Sequence, residues 1–473
     1  MKRVLITILL LSHAVTALAL TPKGAAHIHQ LENRHIPDLK MPALQYWDLP
    51  NGWHVIFIED HSLPLISAKV VVRSSDLFVP KGKEGVAGLL MSTMRTGGTV
   101  ATPPQQLDED LDMMALRLSD GISEEAASIS LGTLSRYADP AFRHFFEILL
   151  TPRFDNSRFD GAKKRRLDGI RRQNENPGAI AQREFSIWLN GDTPWGRIPT
   201  SKSISHIGVS DLKSYYQDHV QHGEKWLVVT GDLTRAKLND LAQKALSMDQ
   251  PPYKIETLPA LARDNTPGVR VVNKKVTQTA IIMGHSGTSR DNPDKFALLI
   301  LNGVLGGNPF TNRLVQSIRV ERGLAYSAWS TISFGPKQAP GLVMAVAMTR
   351  AEKTGEVVGL MKDIIASTRD GAGITEEAIT IAKRNIMSAT LFQFAQPLDA
   401  ATQQATFAIF GYPRNYIQEF RQNIMKVTVA DVKRVAKTYL HPDQLRILVV
   451  GDPKTVSPQL KPFGKVQVVQ PSH

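Results

Sequence analysis

The stretch Val209-Ser210-Asp211-Leu212-Lys213, followed after a short gap by Trp226-Leu227-Val228-Val229-Thr230-Gly231-Asp232, recurs later in the chain. The second copy reads Val429-Ala430-Asp431-Val432-Lys433 and then Ile447-Leu448-Val449-Val450-Gly451-Asp452. Asp211 and Asp431, Gly231 and Gly451, and Asp232 and Asp452 all match at an offset of 220. In each copy an acidic capping residue opens an amphipathic helix, and an apolar β run then ends in a Gly-Asp turn. Earlier in each half, Leu89-Leu90 with Gly97-Gly98 corresponds to Leu298-Leu299 with Gly306-Gly307, at an offset of 209. Two nearly equal offsets in the same order indicate a tandem duplication, the kind of periodicity that decides a fold before any single element does.

Each half has its own order of elements. Tyr46 to Ile58 holds the turn Pro50-Asn51-Gly52 between two β-rich runs, as a hairpin does, and Leu65 to Val72 is a further apolar strand. Helical periodicity follows around 85–95, 104–117, 135–150 and 157–175, with a strand near 123–132. In the second half, strands at 269–272 and 279–284 precede helices at 294–304 and 310–322. Strands at 325–334 and 341–348 then lead to helices at 351–368, 375–395, 398–409 and 415–424. The run 251–267, with Pro251, Pro252, Pro259 and Pro267, is the natural linker. The expected architecture is α+β: two tandem homologous domains at 41–250 and 268–468, each an antiparallel-rich sheet covered by helices.

The N-terminus carries a different signal. Residues 1–19 read as a secretory signal peptide, with Lys2 and Arg3 before the apolar run Val4 to Leu11, and Ala17-Leu18-Ala19 as a small-residue cleavage site. Residues 20–40 form an N-terminal extension. The apolar run is too short to span a bilayer, so export without stable membrane insertion is expected. The absence of cysteine excludes disulfides, thiolate metal ligands, cysteine nucleophiles and lipid attachment at the cleavage site. The formal net charge of +12 falls to +10 once Lys2 and Arg3 are removed. That charge bears on association rather than fold, and without an aromatic-interleaved basic stripe no nucleic-acid partner is expected.

The second half contains Leu305-Gly306-Gly307-Asn308-Pro309-Phe310, then Arg313-Leu314, then Arg319-Val320-Glu321-Arg322-Gly323-Leu324-Ala325-Tyr326-Ser327. Together with the tandem repeat, the linker and the Gly-Asp endings, this passage resembles the pitrilysin-type, insulinase-like zinc peptidases of the M16 family. The resemblance extends over about 40–455. It implies two domains of the LuxS/MPP-like metallohydrolase type.

Active members of that family carry His-x-x-Glu-His on a first-half helix. Residues at i and i+4 share a helix face, so two histidines grip one Zn²⁺, and the intervening Glu serves as general base. A further Glu ligand follows from a later helix. In this chain the corresponding passage is Gly85-Val86-Ala87-Gly88-Leu89-Leu90-Met91-Ser92-Thr93-Met94. Gly88 stands at the first His, Met91 at the base, Ser92 at the second His, and Gly169, 77 positions past Ser92, at the distant Glu. None of the four supplies an imidazole or a carboxylate, so no zinc is expected in this chain.

Other polar clusters offer weaker alternatives. His27, His29, Glu32 and His35 crowd together but lack the spacing that puts both imidazoles beside the Glu on one face. His219 and His222 read as solvent-facing histidines at a helix C-terminus, where the dipole favours them. Lys163, Lys164, Arg165, Arg166, Arg171 and Arg172 read as a solvated helix face, with a chamber for acidic peptides as the other possibility. The family resemblance implies a role for Arg319 and Tyr326, seven residues apart: binding the substrate backbone and stabilising the oxyanion. It further implies a division of labour in which this chain is the zinc-less subunit of a heterodimeric periplasmic peptidase. The partner would be a zinc-bearing M16 subunit and the substrate an unfolded peptide. A non-catalytic peptide-binding or scaffold protein is the alternative, and an enzyme with a relocated metal site a third reading.

Overall fold

The computed structural model describes residues 42–249, 256–308 and 311–472. The expected signal peptide, the N-terminal extension and the cluster of His27, His29, Glu32 and His35 lie outside the described residues. Asn51-Gly52, with Gly52 at φ +86°, turns the chain between β1 (Gln45–Asp48) and β2 (His54–Glu59), which pair antiparallel with Tyr46 opposite Ile56. With β3 (Leu65–Val72), β4 (Arg117–Ile122), β5 (Ala127–Leu134) and β6 (Lys225–Gly231) they form a six-stranded sheet in the order β1-β2-β6-β3-β5-β4. The second sheet draws on β7 (Gly268–Asn273), β8 (Gln278–Ser286), β10 (Ala325–Ile332), β12 (Leu342–Arg350), β13 (Arg446–Gly451) and β14 (Val466–Val469). Its order is β10-β12-β8-β13-β7-β14, and β9 (Thr288–Ser289) pairs apart with β11 (Phe334–Gly335). The protein is therefore α+β, with helices covering two sheets of six strands.

Read from its other edge, the second sheet repeats the first. β7, β13, β8, β12 and β10 take the places of β2, β6, β3, β5 and β4, with one parallel pair in each set, β2 with β6 and β7 with β13. The matching glycines Gly231 and Gly451 close the equivalent strands. At Gly231, φ is +124° and a Cβ would come within 2.0 Å of the Leu65 carbonyl oxygen, so only glycine fits.

The strands of each sheet's centre are buried on both faces, and this explains their unbroken apolar runs. In β2, Val55 and Phe57 join the first-half core, while Ile56 and Ile58 face the other way. What covers them comes from the far half: Ala401, Ala405 and Ile409 of helix Pro397–Ile409. The reverse loan is made by helix Pro177–Asn190, whose Ile180, Ala181, Phe185 and Leu189 pack with Val272, Ala280, Ile282, Leu448 and Val450 of the second sheet. Pro177 and Pro397 open these two helices at the same offset of 220, each at a first-turn position where a missing N–H costs nothing. Each half thus completes the other's core. Arg290 of the second half adds a charge-assisted hydrogen bond to Glu125 of the first, with its guanidinium 3.9 Å from the Phe410 ring centre.

The local reading of the sequence missed several elements, helices Arg235–Leu246 and Pro453–Leu460 among them. The periodicity expected to run as a helix over 104–117 stops at Met113, Ala115 takes φ +48°, and Arg117–Ile122 becomes the edge strand β4. The helix Pro177–Asn190 and the edge strand β14 were likewise not anticipated. Among the described residues no helix is long and apolar enough to cross a membrane.

Candidate functional site

Helix α1 (Val86–Thr96) begins at Gly85, held at φ +101°, and turns one face to the sheet. Val86, Ala87, Leu89, Leu90, Met91 and Met94 are buried there. Gly88, Ser92 and Arg95, spaced four and three apart, share the other face and line a cavity of about 600 Å³. Two of the expected zinc-site positions therefore look into one space. Met91 does not: it is 1 % exposed and belongs to the core. Gly169 lies on helix α2 (Asn156–Arg172), which packs against α1 and contributes Ala162, Arg165 and Arg166 to the cavity wall. A Cβ at Gly88 or at Gly169 would meet nothing within 4 Å. Gly88 thus leaves the space before it open.

The donor set does not fit a zinc ion. Two glycines offer no ligand atom, the Met91 thioether is turned into the core, and a lone Ser92 hydroxyl cannot build a tetrahedral shell. Among the described residues no group of three or more His, Cys, Asp or Glu could hold a metal ion. His219 is not the solvent-facing residue expected. It stacks on Phe78 with ring centres 5.3 Å apart, and its Nδ1 lies 2.7 Å from the Glu256 carboxylate. That pairing explains the position without any metal.

The cavity wall is charged. Burial raises the carboxyl pKa of Asp76, and burial with the charge of Asp76 raises that of Glu124. Burial lowers the pKa of Arg166, whose side chain is nonetheless accessible because the space around it is an open concavity. Trp195, whose Nε1 donates to the Pro259 carbonyl at 2.9 Å, closes one side. Asp76, Glu124, Trp195 and Arg197 had no signature in the sequence, since Asp76 joins the wall from a single 3-10 turn (Asp76–Phe78) and the others from loops or turns. Arg165 and Arg166 did, as part of a basic run, but the run alone could not tell which of its members face the cavity.

Arg319 and Tyr326 lie elsewhere, on the second half. Arg319 sits near the end of a π-helical segment (Val315–Val320) anchored by buried Val315 and Ile318. Gly323, at φ +60°, ends it: its N–H donates to the Arg319 carbonyl at 3.1 Å, and the Leu324 N–H to the Ile318 carbonyl at 2.9 Å. The chain then enters β10, an edge strand, and breaks register between Ala325 and Ser327. Tyr326 is the extra residue of that bulge, and it is 80 % exposed. Bulges re-aim a side chain in this way. The Arg319 guanidinium carbon is 5.2 Å from the centre of the Tyr326 ring, a cation–π geometry. Glu321, the nearest acid in sequence, pairs with Arg322 instead. Among the described residues neither the Arg319 guanidinium nor the Tyr326 hydroxyl has a hydrogen-bond or ion-pair partner, and neither residue lines the first-half cavity. The structure brings the pair together and holds it apart from this chain's own Gly88 and Ser92.

Known proteins share this architecture. The model of the peptidase M16 inactive domain matches residues 206–386. A non-peptidase homolog, YmxG, from Helicobacter pylori is 24 % identical over 405 residues, covering 85 % of this chain and 92 % of its own length. An uncharacterized zinc protease from Rickettsia bellii is 23 % identical over 395 residues, covering 82 % and 93 %. Among solved structures, a peptidase M16 inactive domain from Pseudomonas fluorescens superposes with a TM-score of 0.76 at 25 % identity, over 86 % of this chain and 98 % of that one. A protease from Helicobacter pylori gives a TM-score of 0.75 at 18 % identity, over 87 % of this chain and all of that one, a likeness of fold alone. With the repeated sheets, the second-half match to the peptidase M16 inactive domain and the solved M16 inactive-domain structure in agreement, the chain is similar to peptidase M16 inactive-domain proteins in sequence and in fold.

Proposed function

We propose that this chain is the zinc-less subunit of a heterodimeric M16-type metallopeptidase, lending Arg319 and Tyr326 to the zinc-bearing subunit. The reading is carried by one observation: the pair is stacked, solvent-facing and without partners among the described residues, on a segment that a helix cap and a β-bulge hold in place. A side chain serving only its own fold would not be displayed this way. In the assembled enzyme the Arg319 guanidinium and the Tyr326 hydroxyl donate hydrogen bonds to the substrate carbonyl as its oxygen gains negative charge. Preorganised donors of this kind act most strongly where water is excluded, which association of the two subunits provides. The substrate is an extended, unfolded peptide, and the compartment is the periplasm, in keeping with the signal-like N-terminus.

The test mixes the purified chain with its zinc-bearing subunit and follows peptide cleavage. This chain alone should be inactive and should activate the other. Loss of one oxyanion donor lowers turnover by roughly 10²–10³-fold, and Arg319→Ala or Tyr326→Phe should approach that range. Unchanged turnover removes the role assigned to them. The other reading, a non-catalytic peptide-binding or scaffold protein, draws on the cavity of about 600 Å³ that persists without ligands for a metal. An assembly recovered with this chain but devoid of peptidase activity would favour it.

A further inference from the structure

Four arginines line the first-half cavity: Arg95 from α1, Arg165 and Arg166 from α2, and Arg197 from the loop after Pro177–Asn190. Two of them are answered. The Arg95 Nε donates to Asp120 at 2.6 Å, and Arg197 lies 3.7 Å from Glu84. Arg165 and Arg166 have no hydrogen-bond or ion-pair partner among the described residues. Of the other lining carboxylates, neither Asp76 nor Glu124 pairs with Arg165 or Arg166 among the described residues. The cation that acts on Glu124 is Arg263, and no carboxylate acts on Arg166, which desolvation alone perturbs. The cavity that Gly88 and Ser92 line therefore also holds a pair of unanswered guanidinium groups.

We propose that this cavity binds a carboxylate of an extended peptide, gripped by Arg165 and Arg166 next to Gly88 and Ser92. The proposal deepens the functional reading above, on which it rests in taking the ligand to be a peptide. Guanidinium groups present planar, multiple N–H donors that match the two oxygens of a carboxylate, and such charge-assisted bonds are the strong ones. The Ser92 hydroxyl, on the same helix face, is a further donor. Gly88 supplies the room: where active relatives would place an imidazole, a Cβ here would meet nothing within 4 Å. Four arginines against the three carboxylates of Asp76, Glu84 and Glu124 leave the lining only weakly positive, which suits a single carboxylate better than a polyanion. The carboxylate has two sources, an Asp or Glu side chain or a free peptide C-terminus.

The full-length chain, without any zinc-bearing subunit, is titrated with fluorescent ten-residue peptides and binding is read by anisotropy. One peptide is capped at both ends with a single central Glu, one is its Gln counterpart, and a third is the Gln peptide with a free C-terminus. The Glu peptide, the free-terminus peptide or both should bind roughly ten-fold or more tightly than the capped Gln peptide, as loss of a charge-assisted bond implies. Which of the two gains identifies the source. Arg165→Gln/Arg166→Gln should abolish the preference. Gly88→Leu, which fills the cavity from the opposite helix and changes no charge, should abolish it too. Equal binding of all three peptides, or a preference that survives both variants, overturns the proposal. Assisted turnover by Arg319 and Tyr326 is measured separately. Its loss with the carboxylate preference intact fails only the functional reading, and the converse result fails only this one.

Discussion

The carboxylate of Glu184 accepts hydrogen bonds from the Ser472 backbone N–H at 2.8 Å and from the Ser472 hydroxyl at 3.0 Å. Glu184 belongs to the helix that the first half lends to the second sheet, and it is only 7 % exposed. Ser472 is thus fastened to the borrowed helix. Each hydrogen bond to a charged group contributes about 1.5–3 kcal/mol. Glu184→Ala should therefore lower the unfolding free energy by about 2–4 kcal/mol, allowing for incomplete additivity. Chemical denaturation reads the change; a midpoint within error of the parent would show that the fastening is idle.

Phe185, the next residue, is 2 % exposed and packs into the second sheet. Phe185→Ala should cost about 3–5 kcal/mol. More tellingly, it should destabilise both halves at once, because the helix it loosens is continuous with the first half. Calorimetry should give a single transition whose calorimetric and van't Hoff enthalpies agree. Two separated transitions would contradict the exchange of cover between the sheets.

Gly323 shapes the turn between Arg319 and Tyr326 from the left-handed region, with open space where a Cβ would go. Gly323→Ala should therefore cost only about 1 kcal/mol in stability, the price of the backbone alone. Its effect on turnover assisted by this chain should be larger, since it disturbs the aim of both side chains. Equal turnover for Gly323→Ala and the parent would show that the cap does not position the pair.

The four positions that the family resemblance matches to a zinc site differ in what they tolerate. Gly88→His and Ser92→His enter the open cavity and should leave the midpoint of unfolding nearly unchanged. Met91→Glu puts an unpaired carboxylate into the core, where burial of a polar group costs about 2–7 kcal/mol. Restoring the motif should consequently fail at the base position first. A stable Met91→Glu protein would refute the burial of that side chain.

His285 gives acid sensitivity a defined source. Its Nδ1 lies 2.8 Å from the Ser286 carbonyl and its Nε2 accepts the His441 N–H at 3.2 Å, an arrangement that needs the neutral ring. Burial holds its pKa down to about 4. An unfolded histidine titrates near 6.5, so the unfolded state binds the proton first as pH falls. The stabilisation is fully present above about 6.5 and is lost on acidification towards 4, amounting to about 3 kcal/mol. His285→Asn should lose less stability across that window than the parent. Parallel pH profiles would assign the acid limb to other groups.

What was legible in the sequence was whatever repeats or has a fixed spacing. The Gly-Asp endings identified β6 and β13, and the resemblance of the passage 305–327 to a known family singled out Arg319 and Tyr326, two side chains that the fold brings together. What escaped depends on distant partners. Arg117–Ile122 reads as polar because an edge strand has one wet face and only one neighbour, and Ala115 turns the chain where a helix pattern continues. Helix Pro177–Asn190 has its apolar partners a hundred residues further on, so no local pattern announces its role. The cavity is similar: Gly88 and Arg165 are 77 positions apart, and only the packing of their helices makes them neighbours across one space.

The crossed helices also restrict how the molecule can move. Swinging the two sheets apart would strip Ala401, Ala405 and Ile409 from one and Phe185 and Leu189 from the other, exposing two apolar faces to water together. Such an opening carries the free energy of partial unfolding rather than that of a hinge. In the heterodimer proposed above, a gate that admits a peptide would then work between chains, with this one moving as a single rigid jaw.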